Sequence, residues 1–355
     1  MTVWQSQRFD DHEQVTFFSD GPTRLRAIVA IHSTALGPAI GGTRFWPYPD
    51  DASALDDVLR LSRAMSYKCA LAGVGLGGGK AVIIGDPARR KTTALLHAYA
   101  RHLNRIGSTF STGEDVGFSV ADCETMRQVT PYVAGTTSAG IGDPSVGTAQ
   151  GVLEGMKAVL EARFERDDFR GVHVAVQGLG NVGWRLCELL NSAGARLTVA
   201  DIRPELVARA AERFRAETAA PDAIHAVAAD IFAPCALGGV IGRATIDALR
   251  VKAIAGGANN PLDSEDLAEA LARRGILFAP DFVINAGGVL SAAEELAAIP
   301  GRRLPTFPPL AERLANIRTK LRDIFARACA EGTTPMAVAV RQAKEAIACK
   351  ASAPA

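Results

Sequence analysis

The chain has 355 residues, 48% of them hydrophobic and 22% charged, with a formal net charge of +1. That length suits two cores better than one, and near-neutrality offers no electrostatic footprint for a nucleic acid or an anionic membrane. The six cysteines (Cys69, Cys123, Cys187, Cys235, Cys329 and Cys349) form no CxxC pair, and no histidine cluster supplies ligand spacing, so no metal site is expected. Met1-Thr2-Val3-Trp4-Gln5 opens no signal peptide, and no apolar run reaches the length of a membrane span. The expectation is a cytoplasmic protein whose thiols are buried in a reducing compartment.

Residues 24–31 read as a strand. Asp50-Asp51 offer an N-cap, and Leu55, Val58, Leu59 and Met65 recur at helical spacing, so a helix runs toward Lys68. The stretch 72–79 that follows is too rich in glycine for a regular element, which puts Lys80 at a loop-to-strand junction before the apolar strand Ala81–Ile84. A helix over Leu95–Ile106 and a short strand over Ser108–Ser111 lead to the turn Thr112-Gly113-Glu114-Asp115. The loop Ser138–Ser145 marks a domain boundary. A connecting helix carries Val152, Met156, Val159 and Leu160. Val172–Val176 is a strand, followed at once by Gly178-Leu179-Gly180-Asn181-Val182-Gly183 and a helix with Leu186, Leu189 and Leu190. Leu197–Ala200 is the next strand, ended by Asp201. Later apolar segments end in loops at Cys235-Ala236, at Gly256–Asn260 and at Asn285–Gly288. Pro300, Pro305, Pro308 and Pro309 mark a break before helices over roughly 310–330 and 335–348, and the tail 350–355 should fray. The predicted class is α/β, with two domains around a cleft. Residues 1–140 are expected to form a substrate-binding and catalytic domain and 141–334 a Rossmann-type dinucleotide-binding domain, with the terminal helix of 335–355 returning to the first.

A lone GxGxxG is a weak signal, but here a β-branched strand precedes it, an apolar helix follows it and an acidic residue ends the next strand. The glycines permit a tight turn and close approach of a pyrophosphate, and the helix N-terminus supplies amide donors. Asp201 would accept from the ribose diol and repel a 2′-phosphate, which selects NAD; Arg203 keeps NADP open as a lesser option. The alternative is a structural turn with no ligand. Gly79-Lys80 is not a phosphate-binding P-loop, because Val74 and Ala81 stand where that motif needs a glycine and a hydroxyl.

Taken alone, Lys68 reads as a solvated cation near a helix end and Asp115 as a turn residue satisfying amides. Lys80, between three glycines and an apolar strand, is less ordinary. Burial there would disfavour its charge and fit it to act as a general base.

Several long motifs now carry a resemblance. They are Gly41-Gly42-Thr43-Arg44, Met65-Ser66-Tyr67-Lys68, the run 77–84 around Lys80, Gly113-Glu114-Asp115-Val116, the run 176–183, the run 230–239, Gly257-Ala258-Asn259-Asn260 and the run 279–288. In this order, from about Arg24 to Glu295, they resemble the Glu/Leu/Phe/Val dehydrogenase superfamily, and within it the leucine, valine and phenylalanine branch. The stretch Pro300–Pro309 departs from the expected pattern. The resemblance implies that Lys68 binds the substrate carboxylate, with Gly42 and Asn260 near the substrate. It implies that Lys80 is the base that activates water and that Asp115 exchanges protons with the substrate amine. Thr148, the 178–183 turn, Asp201, Cys235, Ala236 and Asn285 would hold NAD, and the protein would be a homo-oligomer. Ile40, Gly113, Val289 and Ala292 would line the side-chain pocket. Glutamate enzymes place a lysine at the position of Ile40 and a hydroxyl at that of Ala292, so a γ-carboxylate would be buried unpaired here. The expected activity is reversible, NAD-dependent oxidative deamination of apolar L-amino acids, leucine-like. Gly113 and Ala292 are small enough to leave aromatic specificity as an alternative, unless Gly113 serves only its turn. A non-catalytic NAD sensor would have no need of a base, and a 2-hydroxy-acid dehydrogenase would want a histidine that none of these motifs holds.

Overall fold

The computed structural model describes residues 3–136, 143–264, 266–297 and 304–351. Residues 138–142 of the expected boundary loop, 300–303 of the proline-marked break and 352–355 of the tail lie outside them. The chain divides into two units, Met1–Pro144 with Ser291–Phe307 and Ala343–Ala355, and Ser145–Leu290 with Pro308–Gln342.

The first unit contains β1 (Gln14–Asp20), β2 (Leu25–Ser33), β3 (Ala39–Ile40), β4 (Thr43–Trp46), α1 (Asp51–Ala72), β5 (Gly77–Ile84), α2 (Pro87–Arg90), α3 (Thr93–Ile106), β6 (Phe110–Ser111) and α4 (Val120–Arg127). Its sheet runs β1-β2-β5-β3-β6, with β4 also paired to β5. Helix α1 starts where the sequence places it: the Asp50 carboxylate accepts from the Ser53 amide, and the helix stops at Gly73, whose φ of 66° is left-handed.

The glycine run corrects one expectation. Gly77–Gly79 are the opening residues of β5, not a loop, so Lys80 lies inside a strand. Strand propensity disfavours glycine, but packing overrides it here. A Cβ on Gly77 would stand 2.1 Å from the Ser33 carbonyl oxygen, and one on Gly78 2.0 Å from the Ser66 amide nitrogen of α1. One on Gly79 would stand 2.8 Å from the Phe110 ring. Side chains are missing because neighbouring backbone and rings fill their place.

Alternation then assigns the faces. Val82, Ile28 and Ala30 pack with Leu55, Val58 and Leu59 of α1. Ala81, Ile83, Ala27, Val29 and Ile31 pack on the other face with Leu95, Leu96, Tyr99 and Leu103 of α3. Lys80 has the parity of Val82, and Arg44 is the register partner of Val82, so both belong to the α1 face.

A polar network lies between β2 and α1. The His32 Nδ1 and the Ser66 hydroxyl share a hydrogen bond of 2.8 Å, and the His12 Nε2 lies 3.0 Å from both the Leu59 carbonyl and the Ser62 hydroxyl. The two imidazoles meet edge to face with centroids 5.0 Å apart.

The second unit begins with α5 (Ser145–Phe164), β7 (His173–Gln177), α6 (Asn181–Ser192), β8 (Arg196–Ala200), α7 (Pro204–Phe214), β9 (Glu217–Thr218) and β10 (Ile231–Pro234). It continues with β11 (Ala253–Ile254), α8 (Leu267–Arg273), β12 (Leu277–Phe278), α9 (Asp281–Ile284), α10 (Gly287–Ala297), α11 (Leu310–Glu331) and α12 (Pro335–Ala351). The strand order β12-β11-β10-β7-β8-β9 is parallel throughout. Chain order reverses between β7 and β10, the switch point at which doubly wound sheets bind ligands. Ala175, Phe232, Ile254 and Phe278 of the sheet pack with Leu267 and Leu271 of α8. The first turn of α10 counts with this unit and its remainder, from Ser291, with the first. Among the described residues no helix is long and apolar enough to cross a membrane, and no group of His, Cys, Asp and Glu side chains could hold a metal ion.

Burial pushes the His32 imidazole down from 6.5 to about 4, the neighbouring His12 adding to the effect. The unfolded chain therefore takes up this proton near the ordinary value and the folded one only near 4, so His32 costs stability as pH falls through that window. Thermal unfolding midpoints should drop between those two values, and the drop should be smaller in His32→Gln. Equal drops in both proteins would rule out His32 as the source.

Candidate functional site

The chemistry-bearing residues of the first unit gather on the α1 face of its sheet. The Lys80 ammonium lies 3.1 Å from Asp115 Oδ2; Lys80 is buried and the Asp115 side chain is only 12% exposed. Backbone bonds hold Asp115 over β4: the Thr43 amide donates to the Gly113 carbonyl and the Phe45 amide to the Val116 carbonyl, each at 2.9 Å. Gly42 permits this approach, since a Cβ there would stand 2.3 Å from the Glu114 carbonyl oxygen and 3.0 Å from the Asp115 Cβ. On the opposite face the Thr43 hydroxyl joins the Tyr99 hydroxyl (2.8 Å) and that of Thr112 (2.6 Å), pinning the turn from behind.

Two residues absent from the sequence-derived site complete the cluster. Arg44 donates from Nε to Asp115 Oδ2 at 3.1 Å and from Nη1 to Asp57 Oδ2 at 2.9 Å. Asp57 in turn accepts from the Tyr48 hydroxyl at 2.7 Å and from Arg60 at 2.8 Å. Asp57, Arg60, Ala64 and Lys68 recur at the spacing of one stripe along α1. Lys68 is half-buried there, two residues beyond the Ser66 backbone that lies against Gly78. Burial lowers the Lys80 pKa, and the Arg44 charge lowers it further while Asp115 opposes both. For Asp115 burial acts upward, but the Lys80 and Arg44 cations outweigh it and hold the carboxyl below its ordinary value. Glu114 goes the other way, pushed up by burial and by Asp143 and Asp115.

Of the residues expected in the side-chain pocket, Ile40 is buried on β3, paired with Gly78 and Ser111. The φ of Gly113 is not positive, so its backbone does not demand glycine; a Cβ there would stand 3.3 Å from the Ala134 carbonyl oxygen. Ala134 is tied back to this turn by its amide bond to the Thr112 carbonyl, 2.8 Å. The adjoining Gly135 and Thr136 amides donate to the Glu295 carboxylate of α10 at 2.8 and 3.3 Å. Ala292, one turn earlier on that helix, counts with the first unit. Val289 and Asn260 count with the second. Asn260 has a left-handed φ of 48°, and its amide donates to Asp281 at 2.7 Å.

In the second unit the glycine turn divides its work. Gly178 has a φ of 95°, which a side chain would strain. A Cβ on Gly183 would stand 1.9 Å from the Gly178 carbonyl oxygen, so α6 packs tightly on the turn. A Cβ on Gly180 would meet nothing within 4 Å, and no side chain caps the Asn181 end of α6. The turn thus leaves open space before an uncapped helix N-terminus that carries Asn181 and Val182. Asp201 ends β8; its Oδ2 accepts from the Leu179 amide at 2.6 Å, and its Oδ1 from the Arg203 amide and Nε at 2.9 and 3.1 Å. At the switch point the Ala236 amide nitrogen would stand 2.8 Å from a Gly178 Cβ, and Cys235 precedes it after β10. Asn285 donates to the Asn259 side chain at 2.9 Å, while its own Oδ1 is buried and accepts nothing. Thr148 lies in the first turn of α5.

A parallel doubly wound sheet with this turn, joined in one chain to an α/β unit bearing a buried Lys–Asp pair, defines a two-domain dehydrogenase. Residues 12–139 match the family model described as Glu/Leu/Phe/Val dehydrogenase, dimerisation domain, and residues 202–355 the one described as Glutamate/Leucine/Phenylalanine/Valine dehydrogenase. The chain belongs to this family. It is 44% identical to leucine dehydrogenase of Geobacillus stearothermophilus over 98% of its length and 94% of that protein's. It is 42% identical to phenylalanine dehydrogenase of Bacillus thermotolerans over 96% and 90%. The crystal structure of L-tryptophan dehydrogenase from Nostoc punctiforme superposes with a TM-score of 0.78 at 40% identity, covering 96% of this chain and 97% of that one.

Gly78→Ala should push α1 away from β5. Denaturant unfolding should show a loss of at least about 2 kcal/mol, the scale of overpacking a closed interface. A variant as stable as the wild type would mean that α1 does not rest on Gly78.

Proposed function

We propose that the protein catalyses reversible, NAD-dependent oxidative deamination of apolar L-amino acids to 2-oxo acids and ammonia, with leucine-type side chains preferred. The buried Lys80–Asp115 pair, 3.1 Å apart and held by a strand and a backbone-pinned turn, carries this reading. Lys80, disposed by burial to lose its proton, takes a proton from water and directs the hydroxyl to the imine carbon of the substrate. Asp115, held ionised, receives and returns protons at the substrate nitrogen until ammonia leaves. Lys68 holds the α-carboxylate. NAD supplies the acceptor for the hydride that leaves the α-carbon.

The residues fit that cofactor. Open space at Gly180 before the α6 N-terminus suits a pyrophosphate, and the orphaned Asn285 Oδ1 is an acceptor for a carboxamide N–H. Arg203 is already engaged by Asp201, which supports NAD over NADP. Thr148, Cys235 and Ala236 complete the nicotinamide side. A homo-oligomer in the cytoplasm is the setting we assign, the first half matching a model described as a dimerisation domain.

Ile40 and Ala292 bring no cation to the side-chain pocket, so a second carboxylate would be buried unpaired. Gly113 carries no side chain and its φ is not positive, which keeps aromatic side chains as the second reading.

A panel of 2-oxo acids with NADH and ammonium tests the reading. Turnover of 4-methyl-2-oxopentanoate without 2-oxoglutarate is expected, and the reverse preference would overturn it. Lys80→Ala should abolish turnover with NADH binding intact; turnover within about tenfold of wild type would remove Lys80 from the chemistry. Gly180→Ala should leave the unfolding midpoint unchanged while weakening NADH binding, and unweakened binding would move the pyrophosphate elsewhere.

A further inference from the structure

We propose that Arg44 is a positioning residue for the reaction: it grips the Asp115 oxygen that Lys80 also grips, so Asp115 stays ionised and in place when Lys80 gives up its proton. The inference rests on Lys80 being the base. Arg44 Nε and Lys80 Nζ each stand 3.1 Å from Asp115 Oδ2. A buried carboxylate with Lys80 as its only cation would hold the proton on that lysine, because a neutral amine leaves the charge unpaired in a dry site. With the guanidinium already on the same oxygen, the lysine proton can leave and the carboxylate keeps a permanent cation. Arg44 is itself fixed from the far side by Asp57, which Tyr48 and Arg60 hold in turn.

The titratable groups on the elements around Lys80 are Asp115 and Glu114 on the turn, Arg44 on β4, Tyr48 beyond it, Asp51, Asp56, Asp57, Arg60, Arg63, Tyr67, Lys68 and Cys69 on α1, and Arg26 and His32 on β2. Burial lowers Lys80 most; among the charges, Arg44 lowers it while Asp115 and Asp57 raise it. Removing Arg44 and removing the charge of Asp57 must therefore act with opposite signs.

The test is kcat/KM against pH for oxidation of L-leucine with NAD in the wild type, Arg44→Met, Arg44→Lys and Asp57→Asn. The substrate's own titration is common to all four, so only displacement of the acid limb is read. Arg44→Met should move that limb up by about one unit or more, the scale of losing a like charge beside the base. Arg44→Lys should stay nearer the wild type, and Asp57→Asn should move the limb down. An unmoved limb in a folded Arg44→Met that still binds NADH overturns the proposal, as does an upward or absent shift in Asp57→Asn. If Arg44→Met does not fold, the sign of the Asp57→Asn shift decides. Inactive Lys80→Ala with unmoved limbs sinks this inference alone, whereas active Lys80→Ala sinks the reading beneath it.

Discussion

The approach of α1 to β5 without intervening side chains is the constraint on which the first unit depends. Gly78 lets the backbone of Ser66 lie where a Cβ would be, and Gly77 and Gly79 do the same for β2 and for Phe110. Three consecutive positions thus give up side chains to neighbouring backbone and ring atoms. The exchange is expensive in an isolated strand, because glycine loses the most backbone freedom on ordering. It is offset by the apolar surface that Ile28, Val82, Leu55, Val58 and Leu59 bury once helix and sheet are this close. The next residue along the strand is Lys80, delivered to the same closed face.

That arrangement explains why part of the fold was legible in the sequence and part was not. Periodicity and capping were enough for α1, because Asp50 caps it and Gly73 ends it. The helices 310–331 and 335–351 and the parallel strands of the second unit likewise follow apolar patterning. The glycine run reads as a loop because a strand without side chains shows no alternation. β1 lies at the sheet edge with an irregular burial pattern, and β3 and β4 are too short to carry a period, whereas β6 falls within the short strand read over Ser108–Ser111.

The site shows the same division. Lys68, Lys80 and Asp115 stood out by their motifs, and the glycine turn by its flanking elements. Arg44 closes the motif Gly41–Arg44 without a role of its own, and Asp57 reads as an ordinary polar residue of α1. Their importance appears only when β4 is laid beside β5, which puts Arg44 on the Lys80 face, and when α1 covers that face with its Asp57 stripe. The signal was present as parity, but using it required the strand that the glycines concealed. Gly113 is the converse case. Its turn position invited a conformational explanation, and a φ that is not positive removes it.

The backbone origin of this scaffold bears on how such a protein diversifies. Lys80 and Asp115 are placed by main-chain contacts at Gly42, Gly77–Gly79 and the 113–116 turn, and these do not involve the side chains of Ile40 or Ala292. Changes at Ile40 or Ala292 can therefore accumulate without displacing Lys80 and Asp115. Relatives named for leucine, phenylalanine and tryptophan all stand at 40 to 47% identity to this chain. On the function proposed above, a framework that stores the placement of Lys80 and Asp115 in glycines leaves substrate choice free to drift, and selection can revise the diet of the enzyme without rebuilding its chemistry.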